Sequence, residues 1–532
     1  MGAYIEYSGK GEPVQWAETD FTLPVPSDQI AVLLGQYRAL KNKIEDVSRR
    51  MIDEGADILP YFLDGNATNR RFMTHTVTEM FKSDGAIAAL NADFWSKALN
   101  LTDVIEVMPQ ARRDEWYSLI YDHKTPDFEE DTVRTTLETL LADRPRYFAE
   151  RVEGVFRALS GDHVTNRPEG FSKRMIVARV VDEYGVVDST MGGYINDLRC
   201  VIARFMGRDE PSWFTSSATI RLAAQTPGEW MSLDGNALRV KVYKVGTVHI
   251  EVHADMAWRL NEVLASLYPM AIPPSLRKKP TRKKAFSQIM TPLPFRVVNV
   301  LADILSRRLN DGVVTIPYSS VGSHKEIKAE VARVLEMIGG AVSGADGSVF
   351  RFDYDPTDAI RELVITGLVP EHKSHQFYPT TEKLARLATD LAGIDDHHTC
   401  LEPSAGNGGL ARYMPEDATL CVELSALHCK VLEGMGFTTL NQDFLEFSGS
   451  TTRRFDRIVM NPPFSEGRAQ LHLYAAASLI APGGRLVAIL PGSMKGKSLS
   501  GFDCEWHGPF EDQFQGTGVR VVILVANKQQ TH

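Results

Sequence analysis

The apolar run Arg457-Ile458-Val459-Met460 ends in Asn461-Pro462-Pro463-Phe464, and two consecutive prolines leave a chain few ways to continue. Each proline locks φ and removes a backbone donor, so a strand reaching this point must stop. Stopping here, it holds the Asn461 side-chain oxygen and the Pro462 carbonyl as acceptors facing one point, which suits a substrate NH2 group. Phe464 adds a face for a planar base, a contact worth about 1–3 kcal/mol per base in nucleic-acid binders. The alternative is an ordinary strand-ending turn, because Asn and Pro are common turn residues.

The upstream sequence supplies a context. Cys400-Leu401-Glu402-Pro403-Ser404-Ala405-Gly406-Asn407-Gly408-Gly409-Leu410-Ala411 reads as a short strand, a Gly-rich turn and a helix start. Such a turn lets backbone approach a nucleotide-like ligand. The next strand, Thr419-Leu420-Cys421-Val422, ends at Glu423, 21 positions after Glu402. There a nucleotide-binding α/β fold puts a carboxylate on ribose hydroxyls. A third strand is predicted to end near Asp443-Phe444, and a fourth, Phe455 to Met460, delivers Asn461 to Phe464 at its carboxyl end. Open α/β sheets bind ligands at that edge. Gln470 to Ala481 reads as an amphipathic helix stopped by Pro482-Gly483-Gly484, Arg485 to Leu490 as a buried strand, and Gly518 to Asn527 as a last one.

From Phe377 to about Lys528 this order of parts resembles a class I S-adenosylmethionine-dependent methyltransferase of the adenine-N6 DNA type. The resemblance implies an α/β fold, a Rossmann-like seven-stranded methyltransferase sheet over 371–532, with S-adenosyl-L-methionine as cofactor. Phe377-Tyr378-Pro379-Thr380 resembles the segment that closes over the methionine portion of that cofactor, and Glu402, Pro403, Ser404, Ala405, Gly406 and Gly408 resemble its loop. Glu423, followed by Leu424, would hold the ribose. Asp443 and Phe444 resemble the pair that contacts the cofactor's adenine. Asn461, Pro462, Pro463 and Phe464 would be the catalytic motif. A dinucleotide dehydrogenase is the rival for a Gly-rich turn followed by a distant acid, but Gly406-Asn407-Gly408-Gly409 lacks the third glycine at the Rossmann spacing.

The implied reaction is direct methyl transfer to a neutral exocyclic amine. Hydrogen bonds from its two protons to Asn461 and the Pro462 carbonyl would aim the lone pair, and a target in duplex DNA would have to be flipped out of the stack. Four residues do not identify the base. Cytosine N4 has a similar amino edge, and the same motif type occurs in enzymes acting on ribosomal RNA or on protein glutamine. A scaffold or phage structural component with a vestigial domain is the remaining alternative, against which the intact Glu402, Glu423, Asn461, Pro462 and Phe464 speak.

At 532 residues the chain exceeds one ordinary core, and it carries 58 Lys and Arg against 68 Asp and Glu. Five cysteines without Cys-x-x-Cys spacing indicate neither a disulfide framework nor a structural zinc, and no metal is expected. The start lacks a basic and an apolar leader segment, and no stretch approaches the roughly 18 apolar residues of a membrane span, so a cytoplasmic protein of a bacterial host cell is expected. A net charge of −10 argues against indiscriminate coating of nucleic acid, yet Arg277 to Lys284 is basic at six of eight positions and reads as a phosphate contact or a solvated linker.

The expected organisation is 1–275 as a mainly helical N-terminal domain with a late β-hairpin, 276–370 as a basic linker and small α+β segment, and 371–532 as the methyltransferase domain. Ser27 to Gly55, Asn66 to Asn100 and Thr132 to Leu159 show helical spacing. Ala237 to His253 alternates at period two and predicts a hairpin turning near Gly246, with His249 and His253 on one solvent face. Phe295 to Leu309 and His324 to Ile338 read as helices and Ala341 to Tyr354 as a hairpin, a winged-helix candidate. Asp93-Phe94-Trp95, Glu115-Trp116 and Asn166 to Arg174 resemble a domain of unknown function that accompanies phage and plasmid methyltransferases, which suggests restriction-modification or anti-restriction. Lys173 and Arg174 beside Phe171 read as a phosphate and stacking contact or as an ordinary loop. With no room after the last strand for a target-recognition domain, specificity toward duplex DNA is expected to come from the first 370 residues.

Overall fold

A computed structural model describes residues 27–532 apart from 54, 56, 59–76, 102–103, 160–165, 167–168, 269–271, 280–289, 308, 310–311, 323, 345, 371–379, 465–466, 512–519 and 530–532. Phe377, Tyr378 and Pro379, and the second half of the basic run, therefore lie outside the described residues.

The helix Ser27–Asp53 buries Ile30, Leu34 and Tyr37, one stripe at helical spacing. It packs with Ser83–Asn100, whose Phe94 and Trp95 meet Tyr37 and Phe128 at ring separations of 5.4 to 5.6 Å. The helices Gln110–Tyr121, Glu130–Ala142 and Arg144–Ala158 follow. Then β1 (Arg174–Val177), β2 (Met231–Leu233), β3 (Leu238–Val242) and β4 (Val248–Val252) form an antiparallel sheet in the order β1-β4-β3-β2. The expected hairpin is thus the centre of a four-stranded sheet. Gly246 turns it at φ +77°, where a Cβ would stand 1.8 Å from the Val181 carbonyl oxygen, so glycine alone fits. Leu238, Val240, Val242, Val248, Ile250 and Val252 point inward onto the helices Ser189–Phe205 and Ala254–Leu267. His249 lies on the outer face, but His253 does not join it: its Nδ1 accepts the Asp255 N–H at 3.2 Å and caps the following helix. Phe171 is buried in the core and offers no stacking face.

A smaller unit follows. The strand β5 (Met290–Pro292) precedes the helix Phe295–Ser306, β6 (Val313–Thr315), the helices Tyr318–Val321 and Lys325–Met337, and a hairpin of β7 (Ala341–Val342) and β8 (Val349–Arg351). Its sheet order is β6-β8-β7, and β9 (Leu368–Pro370) returns to pair with β5. Helix, strand, two helices and hairpin follow in order, an arrangement shared by winged helices and by ordinary small α+β units. The outward residues of Lys325–Met337 include Lys325, Glu326, Arg333 and Glu336, so that helix presents balanced charge. The N-terminal region caps this unit: Asp209 accepts the N–H groups of Phe295 and Arg296 at 2.8 and 3.0 Å.

The C-terminal sheet comprises β10 (Cys400–Pro403), β11 (Thr419–Glu423), β12 (Thr438–Asn441), β13 (Phe455–Met460), β14 (Ile480–Pro491), β15 (Phe502–Phe510) and β16 (Val521–Lys528). Their order is β12-β11-β10-β13-β14-β16-β15, with β10 to β14 parallel and β16 antiparallel to both neighbours. The order reverses between β10 and β13, which makes the gap between their carboxyl ends a topological switch point.

Two local expectations change. No α-helix starts after the Gly-rich turn; short 3-10 turns at Ala411–Tyr413 and Glu416–Ala418 stand there, cut by Pro415. Pro482-Gly483-Gly484 is not a free-standing stop but a bulge inside β14, whose register passes from Phe455 opposite Ile480 to Arg457 opposite Arg485. Among the described residues, no helix is long and apolar enough to cross a membrane.

Candidate active site

The sequence brings two loops to the switch point. Strand β10 is buried throughout and ends at Pro403, after which Ser404, Gly406 and Gly408 take φ of +63°, +59° and +81°. The turn folds back on its neighbour strand, with the Ser404 and Ala405 N–H groups donating to the Val422 carbonyl at 2.8 and 3.2 Å. At Gly408 a Cβ would lie 2.9 Å from Met435 Sδ, so close packing as well as φ requires glycine.

Glu423 closes this loop. Its Oε2 accepts the Gly406 N–H at 2.8 Å and its Oε1 accepts the Ser425 N–H at 2.7 Å. Burial pushes its carboxyl up, but the hydrogen bond and charge of His428 and the two backbone donors more than offset this, and its pKa lies below the ordinary value. Glu402 behaves oppositely. Burial, with the Glu423 charge adding to it, holds its carboxyl well above the carboxylate range against the opposing Ala411 N–H. Burial thus raises one of these two carboxyls, while hydrogen bonds and charge lower the other. Glu402 Oε2 is buried without a hydrogen-bond partner among the described residues, a polar atom left for a ligand or water.

The other side of the gap is Asn461 to Phe464, immediately after β13. Asn461 Nδ2 donates to Thr380 Oγ1 at 3.1 Å, which leaves Oδ1 as the amide's acceptor. Pro462 is buried, and Asn461, Pro463 and Phe464 are half-buried, Phe464 packing against the cores on both faces of the sheet. Thr380 also lies 3.6 Å from where a Cβ of Gly409 would stand, so one residue touches both loops.

Asp443 and Phe444 sit beyond β12. Asp443 Oδ1 accepts the Leu445 and Glu446 N–H groups at 2.8 and 3.2 Å and caps the helix Phe444–Ser450. Phe444 is buried, its ring 5.4 Å from that of His472. Leu424, next to Glu423, and Leu440, opposite Val422 on the adjoining strand, are 41% and 37% exposed.

His472, on the helix Arg468–Leu479, is a site residue that sequence reasoning missed. It is 4% exposed, and its Nδ1 lies 3.2 Å from Ser404 Oγ. Burial lowers its pKa to about 4, so the ring is neutral near pH 7. Its neighbours are aligned by the fold from 68 residues away, and no local signal announces it. Asn441 is a second: its Nδ2 donates to the Glu423 and Leu424 carbonyls at 3.1 and 2.9 Å and holds the strand end that carries Glu423. Outside the crevice, Asp395, His397 and His398 bring ligand atoms within 4.8 Å of one another in the turn before β10, at the opposite end of that strand.

A family model described as a domain of unknown function, DUF4942, matches residues 87–270. No curated protein matches the chain. Among solved structures, it is similar to an rRNA methylase from Streptococcus thermophilus at 10% identity and a TM-score of 0.23, over 27% of this chain and 95% of that one. It is similar to a candidate RNA methyltransferase from Pyrococcus horikoshii at 19% identity and a TM-score of 0.25, over 30% and 89%. A third is a candidate methyltransferase from Streptococcus mutans solved with SAH, at 10% identity and a TM-score of 0.23, over 27% and 96%. Shared folds host many reactions, so the chemistry rests on the crevice residues.

Proposed function

We propose that this chain is an S-adenosylmethionine-dependent methyltransferase that modifies the N6 amino group of adenine in DNA, with duplex DNA as its partner and the target base flipped into the crevice. The observation that carries this reading is Asn461, whose amide nitrogen is tied to Thr380 just after β13, across a switch point from a glycine-rich loop closed by Glu423; its oxygen and the Pro462 carbonyl would serve as the paired acceptors.

The residues fit the cofactor. The backbone of Ser404 to Gly408 can approach a ligand where side chains would obstruct it, the unpartnered Glu402 Oε2 awaits a polar group, and Leu424 and Leu440 suit a nucleoside. Phe377 to Thr380, Glu423 and the pair Asp443 and Phe444 would complete the cradle. When bound, S-adenosylmethionine supplies a methyl group on a sulfonium for transfer to the amine, which releases a proton. The chain's own part is orientation. Two acceptors on the two amine protons favour a pyramidal nitrogen whose lone pair points away from them, an effect able to remove several kcal/mol of barrier. Phe464 is adjacent for contact with the base, and no strong general base is needed.

The test separates binding from transfer. Asn461→Ala should abolish methyl transfer with cofactor affinity, read by calorimetry, within about twofold of the parent, whereas Glu423→Ala should weaken cofactor binding itself. Equal loss of both in the Asn461 variant contradicts the assignment. Activity on RNA or protein glutamine in place of DNA would keep the crevice chemistry and replace the substrate; absence of cofactor binding would support a vestigial domain.

A further inference from the structure

The outer face of the β1-β4-β3-β2 sheet carries an unusual grouping of charge. Strand register sets Arg174, Glu251, Arg239 and Ser232 in one row across the four strands, and His249 and Lys241 in the next, with Trp230 immediately before β2. Three cations surround the half-buried Trp230 ring: Arg174, Arg239 and Lys241 lie 5.2, 5.4 and 5.7 Å from its centroid. Lys241 is also 5.7 Å from the Tyr243 ring, which in turn stands 4.6 Å from His249. Glu251 is the one carboxylate on the outward positions of these strands, paired with Arg174 at 2.6 Å and Arg239 at 3.6 Å. Exposed Lys173 and Lys244 lie at its edges, against exposed Glu229 beside Trp230 and against Asp182, Glu183 and Asp188, which line one cleft with Lys244.

Glu251 lies between Arg174 and Arg239 and pairs with both, and Lys241 stands in the next row opposite His249, so three permanent cations share one carboxylate in a chain whose net charge is −10. Cation–ring contacts repay part of the cations' mutual repulsion. An anion would relieve the remainder, and the combination of guanidinium and ammonium groups with Trp and Tyr rings on one sheet face matches phosphates interspersed with planar bases. Unpaired bases can reach such rings, while a duplex offers only its phosphates.

We infer that the outer face of this sheet binds an unpaired nucleic-acid strand, with Arg174, Arg239 and Lys241 on phosphates and Trp230 and Tyr243 against bases. The inference deepens the proposed function by giving the strand a grip outside the crevice, and its test is separable, because binding is read without cofactor and methylation in a separate assay.

The experiment is fluorescence anisotropy of a labelled thymidine oligonucleotide with the full chain over a salt series, beside the same length as RNA and as duplex. Each phosphate contact on a single strand contributes about 0.7 to the slope of log affinity against log salt, so Arg239→Gln with Lys241→Gln should lower that slope by roughly 1.4. Trp230→Ala should weaken binding at least about fivefold, with Trp230→Phe restoring most of it. Glu251→Gln should strengthen binding, a gain that damage to the fold would not produce. Thermal melting of each variant, and Arg239→Lys as a charge-keeping control, separate lost contact from lost structure. The inference is overturned if the parent does not bind the oligonucleotide, if Trp230→Ala weakens duplex binding as much as single-strand binding, or if the double variant keeps the parent's slope. DNA bound in preference to RNA, or the reverse, identifies which strand the face takes, and either supports it.

Discussion

Thr380 and His472 each act on the candidate site through another residue. Thr380 Oγ1 receives the Asn461 amide, so Thr380→Val removes the acceptor while keeping the shape. The amide is then free to turn, and methyl transfer should fall about 10- to 100-fold with cofactor affinity unchanged, a split visible in single-turnover rates. His472 has a pH signature. Its folded pKa, lowered by burial to about 4, lies below the ordinary 6.5, so the protonated ring favours the unfolded chain. Its contribution to stability is full above pH 6.5 and is lost as pH falls toward 4, by up to about 1.4 kcal/mol per pH unit. Melting curves of His472→Gln should show a smaller decline across that window than the parent; parallel curves would contradict the neutral, buried imidazole. Asn461 and Glu423 were legible because a proline pair and a strand-end acid are local signals. His472 was not, because its partner Ser404 is distant in the chain.

At the scale of elements, period-two alternation and a glycine marked β3 and β4, whereas their partners carried no such signal: β1 is the four residues Arg174–Val177 and β2 the three residues Met231–Leu233. Strand β15 alternates Phe502, Cys504 and Trp506 with Asp503, Glu505 and His507, but the Gly508-Pro509 break obscures it, and the sequence reading located six of the seven strands. The turn after β10 reads as a helix start by composition, yet positive φ at Gly406 and Gly408 directs the chain away from helical geometry. What long-range pairing holds is also invisible locally. Arg199, 1% exposed, donates to both oxygens of Asp234 at 2.8 and 2.7 Å and to Ser216 Oγ at 2.9 Å, joining the helix Ser189–Phe205 to the turn after β2. Arg199→Ala leaves a buried carboxylate unpaired and should cost about 3–5 kcal/mol in denaturant unfolding. A loss under 1 kcal/mol would mean that the pair is solvated.

Across the whole molecule the three regions share cores. Leu427 and Val431, on the helix Ala426–Gly434 that follows β11, are buried with Val331, Leu335 and Phe350 of the small unit, and Ala203 and Ala218 of the N-terminal region join the same cluster. Tyr354 packs so closely on Gly434 that a Cβ there would stand 2.6 Å from its ring. Asn407 of the candidate cofactor loop donates to the Met337 carbonyl at 3.4 Å, and Arg412 reaches Asp353 at 3.5 Å. The small unit therefore supports the loop that closes on Glu423. A fragment of residues 371–532 should melt at a lower temperature than one of residues 290–532, because it exposes Leu427 and Val431; equal melting would show that the shared core is dispensable.

The most direct test of the central claim is methylation by the intact chain. Purified protein is incubated with labelled S-adenosylmethionine and unmethylated duplex DNA beside Asn461→Ala, and the digested nucleosides are read by mass spectrometry. N6-methyladenine from the parent and none from the variant is the predicted result. Equal product from both, or a parent that neither binds the cofactor nor modifies any base, would contradict it.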